Sequence, residues 1–189
     1  MTKHPRDPAE EIRRFWLEDV GPDGWYMQDD AIDIACRERF LDAWQIAMAG
    51  GYRDWLTDGA RAISLLILLD QFTRNMFRGG EKAFSADGLA LRSAKLAIAR
   101  GLDQAIPEPE RQFFLLPFMH AESLAEQERC VRLFMLRAPE DLGDNLRHAI
   151  LHRAVIRKFG RFPSRNALLG RTDSAAERAY RAQGGYMSG

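Results

Sequence analysis

Apolar residues recur along most of this chain with the three-to-four spacing of a helix face, and that spacing is interrupted at glycines and prolines. Asp7, Pro8 and Glu10 combine a capping side chain, proline at the first helical position and an acid three residues after the cap, which predicts a helix start. Ile12, Phe15, Trp16 and Val20 then share one face, and Gly21-Pro22-Asp23-Gly24 ends it in a turn. Asp29 and Asp30 suit the positive end of a second helix, carried by Ile32, Cys36, Phe40, Ala43, Trp44, Ala47 and Met48 and stopped at Gly50-Gly51. A third, capped by Asp58, runs from about Gly59 to Phe77 and is apolar nearly all round from Ile63 to Leu69, so it belongs at the centre of the core.

Ser85-Ala86-Asp87 opens a fourth helix, rich in Leu and Ala and ended by Gly101. Glu108 to Met119 is helical in character, but Pro117 should break it and bias Leu116 away from helical geometry. Ser123-Leu124-Ala125-Glu126 has the form of a capping box for a sixth helix, ended by Pro139. A seventh is expected from Asp141 to Phe159 with Gly160 just beyond it, and Ser174-Ala175-Ala176-Glu177 is a second capping box starting a short last helix. No alternating β-branched run is long enough for a strand. The pattern predicts an all-α fold of about eight helices, with short connections favouring successive antiparallel pairs. A single domain over 1–189 is expected, with its core at about 8–183 and a flexible tail at 184–189.

Composition narrows this picture. Hydrophobic residues make up 46% and charged residues 29% of 189, enough to bury a core without disulfides or metal. Cys36 and Cys130 stand alone and are expected to be reduced, buried fillers. With no long apolar run and no signal-peptide core, a cytoplasmic protein is expected, neither spanning nor bound to a membrane. Net charge is zero but uneven: residues 1–60 hold 7 Lys/Arg against 13 Asp/Glu, and residues 147–189 hold 9 against 2. The acidic start is expected to attract the basic end, the alternative being that the basic end is presented to an anionic partner. The absence of an overall basic surplus argues against a nucleic-acid partner.

Three groups of polar residues are candidates for chemistry. Asp70, Gln71, Arg74, Asn75 and Arg78 follow the most hydrophobic stretch, and the four-residue steps from Asp70 to Arg74 to Arg78 line one side of a helix, either as a surface ion pair or as the polar wall of a pocket. His120 and Glu122 lie beside a helix break, where histidine can serve as acid, base or ligand, or can simply bond to the backbone. His148 and His152 share a face, but two imidazoles without further ligands do not make a metal site, and no metal or cofactor is expected. Arg161 and Arg165 fall on the loop after Gly160, where each can hold a carboxylate or phosphate with its planar fork or else tie the loop to other elements. There is no GxSxG, Walker A, GxGxxG or zinc-type Cys/His cluster.

Taken together, Asp70 to Gly79, Pro117 to Glu122 with Gln127, and His152 followed by Phe159 to Asn166 and Leu169-Gly170-Arg171 resemble the blocks of the bacterial domain-of-unknown-function 924 family, with an early Phe15-Trp16 that also fits. The resemblance covers about residues 9–180. It implies a helical fold of the tetratricopeptide-like superfamily and implies no reaction. Two positions depart from the pattern: Thr73 stands where proline is common and Ser164 where histidine is common.

These readings lead to one expectation and two alternatives. The leading one is a helical protein binding an anionic small molecule or an acidic peptide in a polar groove. There Asp70 orients Arg74, with Arg78 beside it; Arg161 and Arg165 engage the anion; Asn75, Asn166 and His152 fix orientation. It carries the expectation that Arg165→Ala removes binding at little cost in stability. The alternatives are a hydrolase using His120, Glu122 and His152 as acid/base groups or around a metal, and a purely structural scaffold.

Overall fold

The structure is a computed structural model that describes residues 7–139 and 144–186. Those residues are helical and loop, without a strand among them. Helix α1 (Pro8–Arg14) starts as expected, with the Asp7 carboxylate accepting from the Ala9 amide at 3.1 Å, and continues as a wider π-helical stretch, Phe15–Val20. Helix α2 (Asp30–Met48) is capped by Asp29, whose side chain accepts from Ala31 N at 2.7 Å.

Helix α3 (Gly59–Leu66) is capped by Asp58 and runs on through a π-helical stretch, Ile67–Phe72, into Thr73–Met76. Its Ile63, Leu65, Leu66, Ile67, Leu68, Leu69, Phe72 and Met76 are all buried, each worth roughly 1.5–3 kcal/mol against exposure. This is the axis of the main core, against which Phe15, Trp16, Phe40 and Phe113 pack as tilted and edge-on rings. Thr73 has a definite task here: its hydroxyl donates back to Leu69 O and accepts from the Trp44 indole N–H, both at 2.7 Å. Asp70 and Gln71 sit in the π-helical part and are both buried.

Helix α4 (Asp87–Ala99) begins where expected, but Ser85 does not cap it; its hydroxyl donates to Lys82 O instead. The fifth segment differs from expectation. The break falls at Leu115, and Leu116 and Pro117 open a short helix, α5 (Leu116–Met119), because proline in a first turn lacks only an N–H that would have no helical partner. The carbonyls freed where α5 ends are taken by Gln127, which donates to Met119 O at 2.6 Å and Ala121 O at 2.8 Å. Helix α6 (Leu124–Arg137) starts at Ser123 without a side-chain capping bond, and Glu126 pairs with Lys95.

Helix α7 (Asp144–Phe159) packs along α6; Asp141, its expected start, lies outside the described residues. Gly160, at φ 72°, turns the chain into the left-handed conformation that ends α7. Helix α8 (Ala175–Ala182) carries a complete capping box between Ser174 and Glu177. A second, small core of Val155, Ile156 and Phe162 holds this end together with Phe159, Tyr180 and Tyr186.

The expected attraction between the acidic start and the basic end is not what the described residues form. Arg153 and Arg157 pair with Glu128, Arg161 with Glu177, Arg165 with Asp87, Arg171 with Glu122 and Arg181 with Asp173. Local and mid-chain carboxylates lie closer in the fold than the N-terminal ones. Cys36 and Cys130 are buried and unbonded to each other, and burial pushes the Cys36 thiol up to about 12.

Candidate functional site

A cavity of about 530 Å³ opens between the turn after α1, the end of α3, the α5 break and α7. Pro22, Trp25, Tyr26, Met27 and Leu116 give it apolar surface, while Gln71, Arg74, Asn75, Arg78, His120, His148 and His152 give it polar surface. Tyr186 closes one side. Its hydroxyl lies 2.7 Å from His148 Nδ1 and 3.2 Å from His152 Nδ1, so at least this part of the expected flexible tail has fixed contacts. A second cavity, of about 660 Å³, lies on the far side of His120 and is lined by Lys82, Asp87, Glu122, Arg165 and Arg171 among others.

Between the two cavities runs a buried chain of charges. Asp70, 2% exposed, receives His120 Nδ1 on one carboxylate oxygen at 2.7 Å and Gln71 Nε2 on the other at 2.6 Å. Arg74 donates to Asp70 O at 2.8 Å and reaches on to Asp87 Oδ1 at 3.0 Å. Arg165 bonds the other Asp87 oxygen at 2.9 Å and His120 O at 3.1 Å, its guanidinium 4.6 Å from the rings of both Phe84 and Phe162. Two arginines thus alternate with two aspartates.

This arrangement determines the histidines. Burial alone would raise the Asp70 carboxyl, but the attraction of His120 and Arg74 and the bonds from His120 and Gln71 bring it down to about 2, so it is ionised. Burial, reinforced by Arg74, lowers His120 against the opposing pull of Asp70, so its ring is neutral at neutral pH. A neutral ring bonded to a carboxylate through Nδ1 carries its proton there and leaves Nε2 as a lone pair. His152 shows the same tautomer, since its Nδ1 lies 2.8 Å from His148 O, which can only accept. Burial and the nearby His120 lower His152 to about 3. The two rings are 6.5 Å apart, centre to centre.

Of the residues singled out from sequence, Arg74, Asn75, Arg78, His120 and His152 line the first cavity, and Asp70 stands directly behind His120. Arg165 and Glu122 face the second. Arg161 and Asn166 line neither. Arg161 forms a two-pronged pair with Glu177 at 2.7 and 2.8 Å, and Asn166 donates to Asp173 at 2.7 Å. Glu122 accepts from Phe162 N at 2.8 Å and Arg171 at 2.9 Å, ties that lower its carboxyl despite the raising effect of burial.

The loop arginines therefore tie helix ends and loops together. Sequence reasoning missed Asp87, visible only as a first-turn acid of α4, and Tyr186, which had no signal in a Gly-rich tail. Among the described residues no three His, Cys, Asp or Glu side chains are grouped to hold a metal ion, and no helix is long and apolar enough to cross a membrane.

Fold and site define an all-helical protein with a cavity lined by two neutral, oriented imidazoles. The family described as "Bacterial protein of unknown function (DUF924)" matches over residues 12–185, and the chain belongs to that family. A solved structure of a protein of unknown function from Agrobacterium tumefaciens is 42% identical, with a TM-score of 0.87 over 93% of this chain and 97% of that one. No match is found among curated proteins.

Proposed function

We propose that the chain binds a small, uncharged organic molecule in the first cavity, with an apolar body against Trp25, Met27 and Leu116 and a hydrogen-bonding head against the polar floor. One observation carries this reading. Gln71, Asn75 and His152 are buried and His120 is partly so, all four line the cavity, and Gln71 Oε1, the Asn75 amide, His120 Nε2 and His152 Nε2 make no hydrogen bond to the described residues. Four polar groups on the lining of one cavity, free of protein partners, favour a site whose hydrogen bonds a ligand completes.

The anion expected from sequence is less well served. Arg74 faces Asp70 and Asp87, Arg78 holds both oxygens of Asp33 at 2.5 and 2.8 Å, and both imidazoles are neutral. An added negative charge would find these cations already compensated.

A thermal-shift screen of the untagged protein against uncharged metabolites, metabolite anions and nucleotides tests the reading. A ligand at about a hundredfold its dissociation constant stabilises by roughly 2.7 kcal/mol, raising the melting temperature by about 5–10 °C. The expected result is a shift with uncharged compounds that Asn75→Ala reduces without lowering the unliganded melting temperature. Shifts confined to anions would restore the charged-ligand reading, and a shift unchanged in Asn75→Ala would move the site elsewhere.

A further inference from the structure

This inference rests on the binding reading and adds a reaction to it. We propose that His120 is a catalytic base for hydrolysis of an ester held in the first cavity, with Asp70 as its positioning residue. In the step, an O–H bond of water breaks and its proton passes to His120 Nε2. The water oxygen bonds to the ester carbonyl carbon, and the bond from that carbon to the leaving oxygen breaks. The leaving oxygen takes the proton back from Nε2, so that one ester and one water give one acid and one alcohol, and His120 ends neutral as it began.

Each part of the step has its group in place. The lone pair is on Nε2, because Asp70 Oδ1 holds the Nδ1 proton at 2.7 Å. The imidazolium formed in transit is stabilised by that same buried carboxylate, which Gln71 and Arg74 keep ionised. The unpaired Asn75 amide can donate to a carbonyl oxygen as it gains charge, the task of an oxyanion-binding donor. Gln71 Oε1 can accept the second water hydrogen, and Gln71 and His120 are positioned by the two oxygens of one carboxylate. Glu122 takes no part, being occupied by Arg171 and Phe162 N. The charged and titratable groups facing His120 are Asp70 and Arg74 from α3, Asp87 from α4, His152 from α7 and Arg165 from the following loop.

The test is hydrolysis of 4-nitrophenyl acetate by the wild type, His120→Gln and Asp70→Asn. Turnover above buffer is expected in the wild type, with a loss of about a hundredfold or more in His120→Gln and about tenfold or more in Asp70→Asn. Because Nε2 is neutral below the ordinary histidine range, wild-type activity should persist below pH 6.5. If His120→Gln does not fold, diethyl pyrocarbonate on the wild type serves instead: modification of His120, located by peptide mass, should abolish turnover, and hydroxylamine should restore it.

The uncleavable ketone analogue 4-nitrophenylacetone separates binding from catalysis by its thermal shift. A shift without His120-dependent turnover overturns the catalytic inference and leaves binding standing. Neither a shift nor turnover overturns both, and turnover equal in wild type and His120→Gln places the reaction away from this histidine.

Discussion

Arg165 is 4% exposed, flanked by Phe84 and Phe162 and bonded to Asp87 and His120 O. Removing it would leave Asp70 and Asp87 sharing the single positive charge of Arg74 in a mostly buried network and would empty the space between two rings. Breaking such a pair costs about 3–5 kcal/mol, so Arg165→Ala should lower the urea midpoint markedly, contrary to the small cost expected from sequence. Asp87→Asn in the same background should recover part of the loss by removing the charge left over; no recovery would mean that packing against the rings dominates. The polar surplus of this loop was legible in the sequence. Its role was not, because the partner carboxylate lies 78 residues away along the chain.

At the scale of elements, two stretches of the same Ser-x-x-Glu form behave differently. Ser174 and Glu177 exchange both capping bonds, at 3.2 and 2.7 Å, and Glu177 also anchors Arg161. Ser123 makes no capping bond, and Glu126 turns to Lys95. Ser174→Ala should therefore cost about 1 kcal/mol, whereas Ser123→Ala should change stability by only a few tenths of a kcal/mol, both measured by chemical denaturation. Gly160 makes a companion test. Its φ of 72° suits glycine and no atom crowds a Cβ there, so Gly160→Ala should cost about 1 kcal/mol from backbone strain alone. Local motifs state what a helix end can do; a competing charge from another element decides whether it does.

For the molecule as a whole, the buried neutral histidines make stability depend on pH. The folded-state value of His152 is lowered from 6.5 to about 3, and that of His120 is also lowered, so between these values and 6.5 the unfolded chain binds more protons than the folded one. Stability is thus full above about pH 6.5 and falls as pH drops, by about 1.4 kcal/mol per pH unit for His152, with His120 adding to the fall. Asp70 adds to the loss lower down, since its stabilisation is present above 3.8 and disappears as pH falls toward 2. Urea midpoints measured from pH 8 to pH 4 should be level at first and then decline. His152→Gln should decline less steeply; an unchanged slope would mean that His152 is already charged in the folded protein.

The sequence by itself determined the main helical stretches, where Asp7, Asp58 and Ser174 cap them, that Asp29 and Asp30 begin one, and that Ile63 to Leu69 lie at the centre. These follow from apolar spacing, side-chain capping and backbone preference, all of which act within a few residues of the chain. Family blocks and polar surplus also pointed to Asp70, Arg74, Asn75, His120 and His152. Only the tertiary structure decided that Arg74, Asn75, His120 and His152 line one cavity with Asp70 behind His120, that Arg161 and Glu122 are bound up in ties, and that Asp87 and Tyr186 complete the surroundings. The reason is that a buried charge takes whichever counter-charge the packed helices bring within about 3 Å, and sequence distance says little about which one that is.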